Sequence, residues 1–170
     1  MKQVKEGDLS QMSVLFERYH VRLYNFFLKL TGDKVIGQDL TQNLFYRILR
    51  YRHTYKEDSS FVTWMFQMAR NVHIDHYKQR QKQSERFTSV DTHNENIIDD
   101  HDSFTEDEYN QLDKALAKLD AEQKEIILLS RYQGLKYEEI SKINNLSVAA
   151  IKVQMHRAIK QLRTIYFKQI

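Results

Sequence analysis

Apolar residues recur along this chain at the spacing of helices buried on one face. Leu15, Phe16, Tyr19, Leu23, Phe26, Phe27 and Leu30 fall at intervals of one, three and four, the stripe of an amphipathic helix. Thr31-Gly32-Asp33 stops that run, and Ile36, Leu40, Leu44, Phe45 and Ile48 give a second stripe. A third helix is predicted from Ser60 or Phe61 through Trp64, Met65, Met68, Val72, Ile74 and Tyr77, running out in Lys78–Lys82. The pattern resumes with Leu112, Ala115, Leu116 and Leu119. Asp120 with Gln123 forms a capping box for a helix holding Ile126, Ile127, Leu128 and Leu129, which Gly134 closes as a C-cap. Ile140 and Ile143, then Ile151, Met155, Ala158, Ile159 and Leu162, mark the inner faces of two more helices. The chain has no proline and four glycines, which suits an all-α fold.

Residues 84–111 break this pattern, with few apolar residues and no helical period before about Tyr109. Such a stretch buries too little surface to repay the entropy of ordering. The reading is two small helical domains, residues 1–83 and 112–170, joined by a flexible acidic linker at 84–111. Charge divides the same way: 14 Lys+Arg against 8 Asp+Glu in residues 1–83, one against nine in 84–111, and eleven against six in 112–170. Two basic blocks around an acidic strip suggest two modules that each meet a polyanion. The acidic strip, through Asp99, Asp100 and Asp102, is expected to shield both blocks in the free protein.

Other chemistry is sparse. There is no cysteine, hence no disulfide framework and no thiolate metal site. No apolar run nears the roughly 18 residues of a membrane span, and Met1–Leu9 lacks the apolar core of a secretory signal; the expected address is cytoplasmic. No glycine-rich phosphate loop, nucleophile elbow or apolar acid pair is written here. His73 and His76, with Asp75, are spaced for a metal but lack further ligands nearby, and Asp99-Asp100-His101-Asp102 falls in the linker. The expectation is a non-enzyme with no cofactor and no metal.

The most specific local signal is a helix-turn-helix. A first helix, Tyr137–Ile143, is followed by Asn144-Asn145-Leu146, where Asn145 tolerates a left-handed turn. Ser147 then N-caps a second helix. Its outer face carries Lys152, Gln154, His156, Arg157, Lys160 and Arg163, side chains able to bond base edges and phosphates in a major groove. Upstream, Arg47 to Arg80 interleaves cations with rings, the combination that holds single-stranded nucleic acid. Trp64, Phe61 and Tyr77 are expected in the core; Tyr51 and Tyr55 are the better candidates for stacking on bases. Asp39, Gln42, Asn43 and Arg47 line the polar side of the second helix, with Phe45 and Tyr46 beside them, a candidate protein-docking face.

From about Leu15 to Leu162 the chain resembles a bacterial RNA polymerase sigma factor of the small extracytoplasmic-function group. Asp39-Leu-Thr-Gln42-Asn-Leu-Phe45-Tyr-Arg47 is similar to the helix docked on the polymerase clamp. Phe61-Val-Thr-Trp64-Met-Phe-Gln-Met-Ala69-Arg70-Asn71-Val-His-Ile-Asp75 is similar to the helix that melts and reads the −10 element. Tyr137-Glu-Glu139-Ile140 through Ile151-Lys152 to His156-Arg157-Ala158 is similar to the −35-reading unit, with Asn145 where the family usually has glycine.

The resemblance implies an alternative sigma factor that binds core RNA polymerase and directs promoter recognition and opening. Asp39, Gln42, Asn43 and Arg47 would bind core. Tyr55, Lys56, Ser60, Trp64, Arg70, Asn71, Lys78 and Arg80 would handle single-stranded −10 DNA. Ser147, Lys152, Val153, Gln154, His156 and Arg157 would meet duplex −35 DNA. Family members are often held by an anti-sigma factor, which becomes an expected partner. The rival reading is a dimeric helix-turn-helix transcriptional repressor with a helical ligand domain. A metal hydrolase using His73, Asp75 and His76 is a second rival.

Overall fold

A computed structural model describes residues 1–86 and 106–167. Its helices follow in the order α1 (Lys2–Lys5), α2 (Gln11–Thr31), α3 (Lys34–Arg50), α4 (Phe61–Arg86), α5 (Glu106–Ala117), α6 (Ala121–Ile127), α7 (Tyr137–Asn144) and α8 (Val148–Phe167), with no strand among the described residues. Helix α4 runs past the predicted boundary at residue 83, and α5 begins inside the predicted linker. The middle of that linker, with Asp99, Asp100, His101 and Asp102, lies outside the described residues.

The α2–α3 corner follows from its residues. Gly32, at φ 73°, ends α2 and donates its N–H to the Leu28 carbonyl. Asp33 then caps α3, its carboxylate accepting from the Ile36 N–H at 3.0 Å. At Gly37 the two helices lie close: a Cβ there would stand in ordinary contact, 3.4 Å from the Leu28 nitrogen. The corner brings Leu23, Phe26, Phe27 and Leu30 of α2 onto Leu40, Leu44 and Ile48 of α3 and Met65, Phe66, Ala69 and Val72 of α4. Phe26 and Phe66 meet edge-on at 5.2 Å between centroids, a favoured ring geometry. Two predicted stripe residues depart from this core. Phe16 is 44% exposed and stacks on His20, and Tyr77 is 59% exposed. Both fall at the edges of their stripes, where helical period alone cannot say whether a neighbour covers the side chain.

In the C-terminal half, Asp120 caps α6 by accepting from the Gln123 N–H at 2.9 Å. The reciprocal half of the predicted capping box is absent, because Gln123 is buried with its Oε1 lacking a hydrogen-bond partner. After Ile127 the helix widens into a π-turn, Leu128–Tyr132, in which the Gln133 N–H bonds the Leu128 carbonyl at 3.0 Å. Gly134, at φ 66°, makes the exit. The sequence predicts an ordinary C-cap here. The extra residue of a π-turn leaves Leu128 and Leu129 both buried and so does not disturb the apolar pattern.

The larger difference is between the halves. The sequence suggests two separate cores; in the structure α2, α4, α6 and α7 meet, and one apolar cluster runs from Leu23 to Ala158.

Candidate nucleic-acid and polymerase interface

The turn between α7 and α8 is built by backbone bonds. Glu139 accepts from the Lys136 N–H at 3.0 Å and so caps the start of α7. At its end Asn145 adopts φ 55°, ψ 42° and donates to the Ser141 carbonyl. The Leu146 N–H donates to the same carbonyl at 3.1 Å. Ser147 starts α8 by accepting from the Ala150 N–H at 3.1 Å. Ile151, Met155 and Ala158 go inward, which turns Lys152, Val153, His156 and Arg157 to water, with Gln154 half-buried beside them. The predicted −35 residues therefore form one open face, with Ser147 exposed at its start and used as the cap.

The predicted −10 residues divide. Lys56, Ser60, Asn71, Lys78 and Arg80 are exposed and Trp64 is half-buried. Ser60 also accepts from the Thr63 N–H at 3.4 Å, near the start of α4. Tyr55 corrects the expectation of a stacking ring. It is 8% exposed, its hydroxyl donates to the Ser59 carbonyl at 2.9 Å, and its ring meets Trp64 edge-on at 5.5 Å. Burial pushes its phenol pKa up. Tyr55 therefore shapes the loop from inside, whereas Tyr51 stays open beside the Arg50 guanidinium. Arg70 is held by a buried carboxylate: its Nε donates to Glu125 Oε2 at 3.3 Å.

On α3, Asp39, Gln42 and Asn43 are exposed on one face, with Tyr46 open beside them. Arg47 is drawn inward. Its Nη1 pairs with Asp75 at 2.7 Å and its Nε donates to Asn43 Oδ1 at 3.1 Å. That clasp ties α3 to α4. Among the described residues no group of three or more His, Cys, Asp or Glu could hold a metal. His73 is half-buried, and burial, helped by His76, Lys124 and Arg70, lowers its pKa to about 4.

Sequence reading missed the polar residues that join the halves. Glu125 accepts from Asn144 Nδ2 at 3.3 Å as well as from Arg70. Burial pushes its carboxyl pKa up against the pull of Arg70. Thr63 donates to Glu139 at 3.1 Å, and Arg22 donates to the side chain and the carbonyl of Gln133 at 2.7 and 2.6 Å. On paper each looks like a solvated polar residue, and only its partner across the fold shows otherwise.

Two family models match the chain: Sigma-70 region 2 over residues 15–83, and Sigma-70, region 4 over residues 109–162. The ECF RNA polymerase sigma factor SigX of Bacillus subtilis is 28% identical over 156 residues, covering 88% of this chain and 80% of the relative. The chain belongs to the extracytoplasmic-function sigma factors. The sigma factor CarQ of Myxococcus xanthus is 25% identical, covering 97% of this chain and 94% of the relative. The fold agrees with two solved structures at 21% identity. RpoE of Bartonella quintana, in complex with the anti-sigma factor NepR, has a TM-score of 0.78 over 90% of this chain and 94% of that one. CnrH, in complex with the cytosolic domain of CnrY, has a TM-score of 0.76 over 99% and 96%.

As an alternative sigma factor, the protein binds core RNA polymerase and promoter DNA and directs transcription initiation. Sigma factors are DNA-recognition subunits. The repressor reading is not favoured, because region 2 accounts for the helices that a repressor would devote to an effector. No described helix is long and apolar enough to cross a membrane.

Proposed function

We propose that three faces divide the work of this sigma factor. Asp39, Gln42 and Asn43 on α3 bind core polymerase, with Arg47 holding α3 against α4 behind them. Lys56, Ser60, Trp64, Arg70, Asn71, Lys78 and Arg80, on a loop shaped by Tyr55, take single-stranded −10 DNA. Lys152, Val153, Gln154, His156 and Arg157, with Ser147 fixing the helix start, read the −35 duplex. Residues 1–83 and 112–170 act as two modules, with 84–111 as the tether that lets each reach its own promoter element. The protein works in the cell interior, carries no catalysis of its own, and is held in check by an anti-sigma protein, a reading supported by the complex of RpoE with the anti-sigma factor NepR.

The observation that carries this reading is the face of α8, where Lys152, Val153, His156 and Arg157 stand clear of the core that Ile151, Met155 and Ala158 enter. Its contacts would combine phosphate neutralisation with base readout: Gln154 suits adenine and Lys152 suits guanine. Extruding a −10 base costs a few kcal/mol, which pocket contacts and the rest of the complex must repay. The test is run-off transcription with purified core polymerase on a random promoter library. Two enriched motifs at fixed separation are expected, the upstream one altered by Gln154→Ala. Equal transcription with the protein left out would overturn the reading.

A further inference from the structure

Beside the loop assigned to −10 DNA lies a cavity of about 310 Å³ that no promoter contact named so far occupies. The N-terminal segment with α1, the first half of α2, the loop and the start of α4 enclose it. Tyr19, Tyr55 and Phe61 give rings to its wall, and Lys2, Arg18 and Glu57 give charge. Tyr55 is the partition. Its ring meets Trp64, on the −10 side, edge-on at 5.5 Å, and Phe61, on the cavity side, edge-on at 6.0 Å. Tyr19 and Phe61 meet edge-on at 5.4 Å, and both are half-buried, so each keeps ring surface uncovered. Val4 is fully buried, which docks α1 as a wall of the cavity.

We propose that this cavity takes a second unstacked base of the promoter strand, separate from the base handled at Trp64 and Asn71. The proposal rests on the −10 role assigned above to the loop. Cations that hold phosphates beside rings that stack on bases are the combination by which single strands are bound. A volume of about 310 Å³ stands at the lower end of the roughly 300–1,000 Å³ of small-molecule sites, which suits one base and excludes a longer segment. The charges favour entry. Glu57 is the one acid in the lining, and Lys2 pairs with it at 3.2 Å. Arg18 is exposed and, among the described residues, has no ion pair. It is therefore free to meet a backbone phosphate at the mouth while the base lies against Tyr19 and Phe61. A second base held out of the duplex adds to the free energy that keeps the strands apart, and it gives the protein a second position of choice within the −10 element.

The probe is a fork-junction promoter carrying the −10 motif enriched from the random library, bound by holoenzyme and read by anisotropy. An abasic nucleotide is placed at each position of the single strand in turn. Removing a base that stacks on a ring should weaken binding about tenfold. Two such positions are expected. The penalty at one should disappear in Asn71→Ala. The penalty at the other should disappear in Tyr19→Leu, which removes the ring and keeps an apolar side chain. Arg18→Ala should weaken binding to every template alike and reduce the slope of log K against log salt by about 0.7, the loss of one single-strand phosphate contact.

Tyr19 also packs against the core, so Tyr19→Leu can lose stability. Arg18→Ala changes an exposed side chain and keeps the test decisive if it does. A single sensitive position, a second position whose penalty survives in Tyr19→Leu, or an unchanged salt slope in Arg18→Ala would overturn the proposal and leave the cavity as a gap in packing. In each of these outcomes the position tied to Asn71 stays sensitive, which distinguishes them from a failure of the −10 reading. Insensitivity at every position would remove both.

Discussion

Asn145→Ala tests whether the helix-turn-helix corner is set by backbone conformation. Asn145 has φ 55°, and among the described residues it is the only non-glycine at positive φ. Its side chain is exposed, so truncation to alanine removes little packing. Both turn bonds to the Ser141 carbonyl come from backbone N–H groups, which alanine keeps. What alanine loses is asparagine's tolerance of the left-handed region, which costs an ordinary L-residue about 1–2 kcal/mol. Asparagine already bears part of that strain, so the net loss is about 1 kcal/mol. For a protein of this size that corresponds to a fall of about 2–4 °C in Tm. Glycine has no Cβ to clash, so Asn145→Gly should match or exceed the native stability, offset in part by its greater freedom when unfolded. Urea unfolding followed by circular dichroism measures all three forms. Ordering alanine below asparagine, and asparagine at or below glycine, supports the conformational account. If alanine equalled asparagine while glycine fell below both, unfolded-state entropy would govern the corner and the reasoning would be wrong.

Phe66→Ala should cost about 3–5 kcal/mol, since Phe66 is fully buried and meets both Phe26 and the Arg22 guanidinium; a loss under about 1 kcal/mol in the same urea assay would contradict the core assignment. Arg157→Ala should weaken binding to duplex promoter and reduce the slope of log K against log salt by about 1, whereas a proportionate loss at every salt concentration would argue against a phosphate contact. Asp39→Ala should weaken binding to core polymerase in a pull-down while leaving duplex binding unchanged, and an equal loss in both would mean a folding defect.

The His73 pKa is lowered from 6.5 to about 4, so its neutral form contributes stability that is present above 6.5 and lost as pH falls through about 4. Glu125, raised above 4.5, acts with the opposite sign: its neutral form contributes stability that is lost as pH rises above that range. His73→Gln should therefore make the urea midpoint fall less, or rise more, between pH 7 and pH 5 than it does in the unaltered protein. An unchanged pH dependence in the variant would locate the proton uptake elsewhere.

Much of the local structure is legible in the sequence. Gly32 and Asp33 between two apolar stripes fix the α2–α3 corner because one residue suits a left-handed end and the other caps a start. Asn145 and Ser147 mark the second corner by the same chemistry. The α8 face was readable too, since five inward apolar positions leave the basic ones outside. The π-turn was not legible, because one inserted residue leaves Leu128 and Leu129 in an unbroken apolar run. Tyr55 was misread because a ring beside cations looks the same on paper whether it caps a core or waits for a base.

By itself the sequence determined most of the helices, where they turn and which face of α8 is basic. These follow from interactions between residues a few positions apart, and chain order encodes them directly. Only the tertiary structure decided that Arg70 lies against Glu125, 55 residues away in the chain, and that Arg47 faces Asp75 rather than water. Partners across the fold are chosen by shape and burial of whole helices, and a charged residue carries no local mark of whether its counter-charge will be solvent or another helix.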